Sequence, residues 1–501
     1  MKHQFKIPEE VSRVTETLEK AGFEAYLVGG CVRDILSDKE PKDWDVTTNA
    51  TPEQIIGLFE KTYYENSFGT VGVVVSCETN IVSSSITYNL EPRTCIIEIT
   101  PYRLEAKYSD NRHPDSVSFS NKLEDDLKRR DFTVNAIAYS VSKGQFIDLY
   151  NGQKDIKDKI IRTVGNPKDR FQEDALRLLR AVRFFAQLGF VIEKETGDAI
   201  LENAHLLKNI SKERIRDEFI KIIMSEDPMK GIIMAEKFGI LKYIIPELEI
   251  MIGVKQNGDH IYDVWEHSLR ALQHGADRNF SLEVRLAALL HDIGKPKTRF
   301  WSKEKNDYTF YGHDVVSERI TKKILDDLKF PKKTIETVSK LVRNHMFFSD
   351  IEKITLSAVR RIVRNVGADN VWDLMKVRAC DRIGMGKPKE APYRLRKYES
   401  MIEEAMRSPV SVGMLKIDGL KIMKITNEKP GKKIGYLLHA LLEEVFDHPE
   451  LNTEEFLENR AVELIKLSEK ELHDLGEKGK EKKDIEEEKE LEIIRKRHGV
   501  R

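Results

Sequence analysis

The sequence has few cysteines and no long apolar run. Its 501 residues include only four cysteines, Cys31, Cys77, Cys95 and Cys380, with no CxxC pair among them. This spacing indicates a reducing compartment and argues against a structural zinc site or a disulfide scaffold. No apolar stretch approaches the roughly 18 residues of a membrane span, and the first residues, MKHQFKIPEEVSRV, lack the apolar core of a signal peptide. We therefore expect a cytoplasmic protein with no membrane partner.

Net charge is also low, because 83 Lys and Arg residues face 84 Asp and Glu residues, which leaves −1. A nucleic-acid partner would therefore meet local basic patches rather than a basic whole chain. Such patches occur at residues 128–130 (Lys-Arg-Arg) and at Arg177, Arg180 and Arg183. The length predicts about two to four domains.

Strand signals are concentrated in the first 150 residues. Short apolar, β-branched segments lie at EAYLVGG (24–30), WDVTTNA (44–50), TVGVVVSC (70–77) and TCIIEITPYR (94–103). Residues 78–93 are polar and serine-rich, which predicts a loop or hairpin excursion. Thr51 and Pro52 predict a helix start, with Thr as the cap. These features predict a head domain with a small mixed or antiparallel sheet and helices.

From about residue 155 the strand signals nearly vanish. RFQEDALRLLRAVRFFAQLGF (170–190) has apolar residues at helical spacing and ends in Gly189, which predicts one continuous helix. We predict an α+β protein with a head at 1–150, an all-α neck at 151–255, a histidine-rich helical domain at 256–385 and further helices at 386–465. Residues 466–501 are dominated by Glu and Lys, which predicts a charged helical or disordered tail.

Two aspartates flank Trp44 in KDWDV (42–46). Side chains at i and i+2 of a strand point to the same face, about 6–7 Å apart, so Asp43 and Asp45 would share one side of the sheet. Two such carboxylates can hold Mg²⁺, which bridges phosphates and activates an attacking hydroxyl. A lone DxD pair is more often an ordinary surface feature.

A second phosphate signal lies just upstream, in GGCVRD (29–34). Gly29 and Gly30 in a turn before a helix let backbone N–H groups approach phosphate oxygens. Arg33 adds a fork of donors that can bind a phosphate through two hydrogen bonds. Joined to the aspartate pair, this turn favours a phosphate-transfer site over a surface pair.

At this point residues 26–46, YLVGGCVRDILSDKEPKDWDV, resemble the signature of the class II tRNA nucleotidyltransferase and poly(A) polymerase family. Four later segments are similar to the family's remaining motifs in the same order: LKRRDFTVNAIAY (127–139), FIDLYNGQKDIKDKIIRTVGNP (146–167), EDALRLLRAVRF (173–184) and ERIRDEFIKI (213–222). The resemblance covers about residues 20–250. It implies that Asp43 and Asp45 are the catalytic carboxylates for Mg²⁺.

The resemblance also implies a nucleotide-binding set. Phosphate, ribose or RNA contacts are implied for Gly29, Gly30, Arg33, Arg130, Asp131, Asn135, Arg180 and Arg183. Asp174 and Arg177 lie at i and i+3, and together they could imitate a Watson–Crick partner that accepts C and A and rejects U and G. The alternative for this segment is a surface ladder of acid–arginine pairs.

Two further features are weaker. Glu98 is a candidate third carboxylate on an adjacent strand, or else an ordinary edge residue. Residues 108–119 resemble the family's mobile loop, although His113 stands where a second arginine is usual.

A second group of metal-ligand residue types lies in the histidine-rich region. It consists of His267, His291, Asp292, His313, His345 and Asp381. Imidazole and carboxylate donors suit a transition metal such as Mn, Fe, Ni or Co. Their order resembles that of the HD phosphohydrolase domain, which implies metal-activated water and a phosphoester substrate, with Lys295 offsetting phosphate charge. Singly, each histidine is more often a core or surface residue.

The combined resemblance implies a CCA-adding enzyme that extends the tRNA 3′ end from CTP and ATP and contacts the acceptor arm, with an accessory HD domain. Three alternatives remain open: a poly(A) polymerase or a CC-only or A-only enzyme of the same family, an HD-driven phosphohydrolase with a secondary transferase domain, and a non-catalytic RNA-binding protein. The sequence predicts no oligomeric state.

Overall fold

The computed structural model describes residues 6–64, 69–77, 93–105, 117–256, 260–347, 354–407 and 412–500. The chain divides into two units, residues 1–343 with 380–386 and residues 344–379 with 387–501. The excursion predicted at 78–93 and the loop predicted at 108–119 lie largely outside the described residues and stay predictions, as does the role of His113. The domain boundaries given above also stay predictions.

The head of the first unit alternates short strands and helices. Its elements are α1 (Glu9–Lys20), β1 (Ala25–Val28), α2 (Gly30–Leu36), β2 (Asp45–Thr48), α3 (Pro52–Leu58), β3 (Thr62–Tyr64), β4 (Val71–Cys77), β5 (Arg93–Pro101), β6 (Arg103–Glu105), β7 (Val117–Phe119), α4 (Leu123–Lys128), β8 (Ile137–Ser140), β9 (Gln145–Asp148), α5 (Gly152–Asp158) and β10 (Ile160–Ile161).

Seven strands form one sheet in the order β3-β4-β5-β2-β1-β8-β9. Only the β2–β5 pair in this sheet is parallel, so the mixed sheet predicted from the sequence is confirmed. The predicted start of α3 is also confirmed, because Thr51 caps Gln54 N and Gln54 returns a bond to Thr51 N. Leu27, Val46 and Ile99 are fully buried and anchor the central strands.

The rest of the first unit is helical except for short strand pairs. Its elements are α6 (Pro167–Glu173), α7 (Leu176–Leu188), β11 (Val191–Ile192), α8 (Lys194–Asn203), α9 (Lys212–Ile223), α10 (Pro228–Lys237), α11 (Leu241–Ile244), α12 (Pro246–Glu249), α13 (Val264–Asp277), α14 (Leu282–Leu290), α15 (Lys295–Thr298), β12 (Phe300–Ser302), β13 (Asp307–Thr309), α16 (His313–Asp327) and α17 (Lys332–Asn344), whose last residue belongs to the second unit. The α+β class is therefore confirmed.

The prediction of one helix over 170–190 is wrong at Asp174. There the backbone is extended, with φ −135° and ψ 104°, so α6 ends at Glu173 and α7 begins at Leu176. The Asp174 carboxylate accepts a hydrogen bond from Leu176 N at 3.0 Å. An aspartate that bonds the backbone two residues ahead favours a cap over a helix interior, which explains the break. The predicted end at Gly189 is confirmed, since this residue is left-handed with φ 68°.

The second unit is helical in its described parts. Its elements are α18 (Leu356–Val366), α19 (Val371–Gly384), whose last five residues belong to the first unit, α20 (Tyr393–Met406), α21 (Gly419–Thr426), α22 (Lys432–Asp447), α23 (Glu454–Leu464) and α24 (Glu469–Arg497).

Of the two alternatives predicted for the charged C-terminal segment, the structure shows the helix, and this helix, α24, packs against α22. A Cβ added to Gly476 would lie 2.7 Å from Tyr436 Cα, and one added to Gly479 would lie 2.1 Å from His439 O. Glycine at these two positions therefore allows the backbones of α24 and α22 to touch. Leu472 of α24 is fully buried in the same core.

No helix in the described parts of the chain is long and apolar enough to cross a membrane. Cys31 and Cys380 are buried, and burial raises the pKa of the Cys31 thiol to about 11. Cys95 is disulfide-bonded, which the cysteine spacing did not predict.

Candidate functional site

The first candidate site is built around the turn between β1 and α2. Gly29 adopts φ 81°, a left-handed conformation that favours glycine, and Gly30 begins α2. Strand β2 runs antiparallel to β1 and begins at Asp45. Asp43 lies just before this strand, so position in the chain, rather than strand alternation, places it near Asp45.

These residues line a cavity of about 580 Å³. The predicted transferase residues on its wall are Gly29, Gly30, Arg33, Asp43, Asp45, Arg130, Asp131, Asn135, Arg180 and Arg183. These ten residues come from three of the five sequence motifs, and Lys221, from a fourth, also lines the cavity. Among the residues that the structure describes, Asp174 and Arg177 do not line this cavity.

The acidic end of the cavity suits a cation. Burial raises the pKa of Asp45, Arg130 opposes the rise, and the neighbouring carboxylate of Asp43 adds to it. A divalent cation would relieve both the burial and the like-charge repulsion. Glu98 is paired with Asp45 in the parallel register of β2 and β5, so it lies on the same face of the sheet. This position agrees with the third-carboxylate hypothesis, which stays a prediction.

Arg130 is held beside this end by a buried carboxylate. Its Nη2 donates to Asp126 Oδ2 at 2.9 Å, and Arg129 binds the other oxygen of Asp126. Burial alone would raise the pKa of Asp126, but the two guanidinium groups lower it, so this carboxyl stays ionised. Asp126 was not identified from the sequence, where it was one acid among three in α4.

A hydrogen-bonded chain links three motifs along the cavity wall. Arg33 Nη1 donates to Asn135 Oδ1 at 2.9 Å, and Asn135 Nδ2 donates to Asp131 Oδ1 at 3.2 Å. Arg180 Nε donates to Asp131 Oδ2 at 2.7 Å. Despite its burial, the pKa of Asp131 is held well below its usual range by Arg180 and Asn135. The chain fixes the positions of two guanidinium groups on the cavity wall, where they can bind phosphate oxygens.

Phe184 organises the same wall and was missed from the sequence. The guanidinium carbons of Arg33, Arg180 and Arg183 lie 5.5, 5.6 and 4.2 Å from its ring centre. Arg183 also donates to Glu218 Oε1 at 2.9 Å. An aromatic residue within an apolar helix pattern is typical of core, so the sequence carried no signal for this role. Cation–π attraction to one ring offsets part of the repulsion among the three guanidinium groups.

The predicted base-selecting pair has other partners in this structure. Asp174 Oδ2 accepts from Arg214 Nη2 at 2.8 Å. Arg177 donates to Glu173 Oε2 at 2.7 Å and to Arg129 O at 2.8 Å. The two residues do not share one helix face, because the helix breaks between them. Arg214 and Glu173 stand in quoted motifs but were not named as site residues.

The second candidate site is a buried cluster in the first unit. His267 Nε2 lies 2.9 Å from His291 Nε2, 3.1 Å from Asp292 Oδ2 and 3.3 Å from Asp381 Oδ1. The side chains of these four residues are almost completely buried. Donor atoms of His267, His291 and Asp381 lie within 4.8 Å of one another, as a metal ion requires. Converging imidazoles and carboxylates fit a transition metal.

Carbonyl groups fix the orientation of two histidines. His291 Nδ1 lies 2.8 Å from Ala288 O, and His313 Nδ1 lies 2.8 Å from Phe310 O. Because a carbonyl only accepts, Nδ1 carries the proton and Nε2 is left as the ligand atom in a neutral ring. Burial would lower the pKa of His291, but Asp292 and Asp381 raise it to about 10. A metal ion would take the place of this proton.

Of the remaining predicted ligands, His313 joins the cluster, with Nε2 3.3 Å from Asp292 Oδ1. His345 is buried and belongs to the second unit, so its ligand role stays a prediction. The structure adds His260, whose nitrogen lies with those of His267 and the Asp292 carboxylate in another candidate metal group. Its place seven residues before His267 was the only signal in the sequence.

Comparisons with known proteins match the segments of the chain in which the two candidate sites lie. Residues 25–162 match the family model described as the Poly A polymerase head domain, and residues 189–251 match the model of a probable RNA and SrmB-binding site of polymerase A. Residues 264–390 match the HD domain. These segments follow one another along the chain in the order that the sequence motifs predicted.

Individual relatives identify the family more closely. The chain is 32% identical over 470 residues to the CCA-adding enzyme of Ligilactobacillus salivarius, an alignment that covers 92% of this chain and 98% of that protein. It is 49% identical over 210 residues to the Lactobacillus helveticus CCA-adding enzyme, where it spans only 48% of that relative's length.

A solved structure supports the same assignment. The Bacillus stearothermophilus CCA-adding enzyme in complex with CTP aligns with a TM-score of 0.59 and 27% identity, over 92% of this chain and 98% of that one. Together with the near-complete match to the L. salivarius protein, this shows that the chain belongs to the family of CCA-adding enzymes and is a nucleotidyltransferase.

Proposed function

We propose that the protein adds C, C and A to the 3′ end of tRNA, using CTP and ATP without a nucleic-acid template. The observation that carries this proposal is the cavity in which Asp43 and Asp45 face a wall of ordered arginines. The RNA 3′-hydroxyl attacks the α-phosphate of the nucleotide, and pyrophosphate leaves. The test is incorporation of labelled nucleotides into a tRNA that lacks its 3′ CCA. Because a tRNA substrate implies a cytoplasmic location, this location is part of the proposal.

The head supplies binding and charge for this reaction. Arg33 and Arg180 are held in position by Asn135 and Asp131, so they can bind phosphate oxygens and offset the charge of leaving pyrophosphate. The turn at Gly29 and Gly30 brings backbone N–H groups close to the same oxygens. Asp43 and Asp45 would hold Mg²⁺, which when bound supplies positive charge to the phosphates and favours deprotonation of the attacking hydroxyl.

Base selection is proposed for Asp174 and Arg177. To meet a base, Asp174 must leave Arg214 and Arg177 must leave Glu173, because both side chains are engaged with these partners here. Exchange of protein ion pairs for base contacts would couple nucleotide binding to movement of the α6–α7 break. Cytosine and adenine share an amine beside a ring-nitrogen acceptor. An aspartate can accept a hydrogen bond from the amine, and an arginine can donate one to the ring nitrogen.

Replacement of Gly29 by alanine tests the turn. The new Cβ would lie 3.3 Å from Arg130 Nη1 and 3.5 Å from Asp45 Oδ2, in a left-handed conformation that strains alanine. We expect the KM for CTP and ATP to rise about tenfold or more, since a loss of roughly 1.4 kcal/mol of binding free energy weakens binding tenfold. Steady-state kinetics measures it.

Gly22→Ala is the matched control, because Gly22 has φ 90° and nothing within 4 Å of an added Cβ. It carries the backbone strain without crowding the cavity. It should lower thermal stability and leave both KM values unchanged. Equal KM increases in the two variants would contradict the role of the turn.

A second function, metal-dependent hydrolysis of a phosphoester, is proposed for the buried cluster. The observation that favours it is Lys295, whose Nζ lies 2.6 Å from Asp292 Oδ2 and so places a cation beside the candidate ligands. His267, His291, Asp292 and Asp381 would hold a metal such as Mn, Fe, Ni or Co, with His313 as a further ligand. When bound, this metal would supply a water of lowered pKa.

Metal analysis tests the cluster. Asp292→Ala should remove most of the transition metal that copurifies with the protein, since it deletes a buried carboxylate shared by three histidines. Elemental analysis by mass spectrometry measures the content. Chelation of the wild type should likewise stop cleavage of bis(p-nitrophenyl) phosphate, and added Mn²⁺ or Ni²⁺ should restore it. His205→Ala, which changes an exposed histidine, is the control. Equal metal content in both variants would refute the site.

A further inference from the structure

Asp126 of α4 is a buried acid to which neither proposed function gives a role. Its side chain is 0% exposed. A buried carboxylate is costly unless donors satisfy both of its oxygens. Here each oxygen is bound by a different guanidinium, since Arg129 Nε donates to Oδ1 at 2.9 Å and Arg130 Nη2 donates to Oδ2 at 2.9 Å. The carboxylate therefore serves these two arginines rather than a ligand of its own.

The bonds to Asp126 fix the direction in which Arg130 points. Arg130 Nε also donates to Asp126 Oδ2, at 3.3 Å. A guanidinium is a rigid planar fork, so two bonds on one edge determine where its third nitrogen, Nη1, lies. Nη1 lies 3.3 Å from the position that a Cβ on Gly29 would take, at the turn between β1 and α2. Arg130 thus presents the donors of Nη1 to the cavity that it lines.

Asp45 lies beside the same point of the turn. Its Oδ2 is 3.5 Å from the Gly29 Cβ position. Among the residues that the structure describes, the ion pair of Arg130 is nevertheless with Asp126, and none joins Arg130 to Asp45. Opposite charges attract strongly where burial limits screening by water. Without Asp126, Arg130 would therefore pair with Asp45.

An ion pair between Arg130 and Asp45 would oppose nucleotide addition in two ways. Asp45 would be neutralised, so Mg²⁺ could bind it only by displacing another cation. The Nη1 donors would be occupied by the carboxylate and lost to the phosphates of a nucleotide.

We infer that Asp126 is a positioning residue for nucleotide addition, which holds Arg130 beside the turn for phosphate binding and out of an ion pair with Asp45. Asp45 thereby stays available to Mg²⁺. The inference rests on the proposed addition reaction and deepens it, because it gives a role to a residue that touches neither the nucleotide nor the metal.

Equilibrium binding of labelled CTP, measured without RNA so that no addition occurs, separates the two contacts. The affinity in EDTA reports the phosphate contact of Arg130, and the Mg²⁺ concentration at half-maximal binding, the Mg²⁺ midpoint, reports Asp45. Asp126→Asn has one acceptor oxygen and no charge, so it cannot hold both arginines. It should weaken binding in EDTA and raise the Mg²⁺ midpoint about tenfold, which corresponds to a competing ion pair of about 1.4 kcal/mol. A wild-type midpoint would overturn the inference.

Arg129→Met is the matched control for stability. It removes the other partner of the buried carboxylate and keeps the main-chain oxygen that binds Arg177. Its melting temperature should fall, since Asp126 loses a counter-charge, whereas its Mg²⁺ midpoint should equal that of wild type. An equal rise of the midpoint in Arg129→Met and Asp126→Asn would show a merely structural role and overturn the inference.

Removal of Arg130 provides a second test. Combining Asp126→Asn with Arg130→Met should return the Mg²⁺ midpoint to that of wild type, because the competing cation is gone, while binding in EDTA stays weak. A midpoint that stays high would overturn the inference. Arg130→Met alone should weaken binding in EDTA and leave the midpoint unchanged, and this variant decides the question if Asp126→Asn does not fold. A lower midpoint there would show that Arg130 already competes with Mg²⁺ in the wild type, contrary to the inference.

The wild-type protein separates this inference from the proposed addition reaction. If wild type binds no CTP in the presence of Mg²⁺, the proposed reaction fails, and the inference fails with it. If wild type binds CTP and Asp126→Asn has the same Mg²⁺ midpoint, only the inference fails.

Discussion

Replacement of Asp43 and Asp45 by alanine is expected to lower kcat for C and A addition by about 10³-fold or more. The two carboxylates form the acidic end of the cavity, where burial and the neighbouring Asp43 raise the pKa of Asp45 although Arg130 opposes the rise. Loss of the cation that they would hold removes several kcal/mol of transition-state stabilisation, at about tenfold in rate for each 1.4 kcal/mol. Single-turnover incorporation into tRNA lacking CCA measures the effect.

The same variant should keep its fold and the proposed hydrolase activity. Removing two repelling carboxylates relieves like-charge repulsion, so the melting temperature should not fall. Cleavage of bis(p-nitrophenyl) phosphate should continue at the wild-type rate. Asp198→Ala, which changes an exposed aspartate of α8, is the matched control and should retain full addition. Persistence of addition in the Asp43/Asp45 variant would refute the assignment of the site.

Arg177→Ala should produce the second large effect, on which nucleotides are accepted. If Arg177 pairs with the base, its loss should lower kcat/KM for CTP and ATP by about 10²-fold or more, because a base with unmet hydrogen bonds is rejected strongly. The rate of UTP and GTP incorporation relative to CTP should rise. Competition assays with the four nucleotides measure this ratio, at temperatures well below the melting temperature of the variant.

A loss of stability in the Arg177→Ala variant must be distinguished from a loss of nucleotide selection. Arg177 is buried and binds Glu173 and Arg129 O, so its removal also destabilises the neck. Arg162→Ala provides a control, since it breaks ion pairs with Asp155 and Glu193 without touching the cavity lining. That variant should be less stable and keep its preference for C and A. If Arg177→Ala loses tRNA affinity while nucleotide choice stays intact, the selecting role is wrong.

Local signals in the sequence predicted the head well. The Thr51 cap, the short apolar strands and the glycine turn each depend on a few neighbouring residues, and the structure confirms them. Three of the five ordered motifs predicted residues that share one cavity although more than a hundred positions separate some of them, such as Arg33 and Asn135. Motif order carried this information, since periodicity alone does not place distant segments together.

What the sequence did not predict depends on contacts between distant elements. The break at Asp174 follows from its bond to Leu176 N and its ion pair with Arg214, forty residues away. The sequence pattern predicted Phe184 as a core residue. Only its three arginine neighbours, which the fold brings together, distinguish it from one. The docking of α24 depends on Gly476 and Gly479, which count against a helix by propensity but allow close approach to α22.

The most direct test of the central claim is nucleotide addition to a tRNA transcript that ends before the CCA. The product is resolved to single-nucleotide length with CTP alone, ATP alone, both together, and UTP or GTP in their place. We expect two additions with CTP alone, a third when ATP is also present, and termination there. Addition of A without C, an extended poly(A) tail or equal use of all four nucleotides would contradict it.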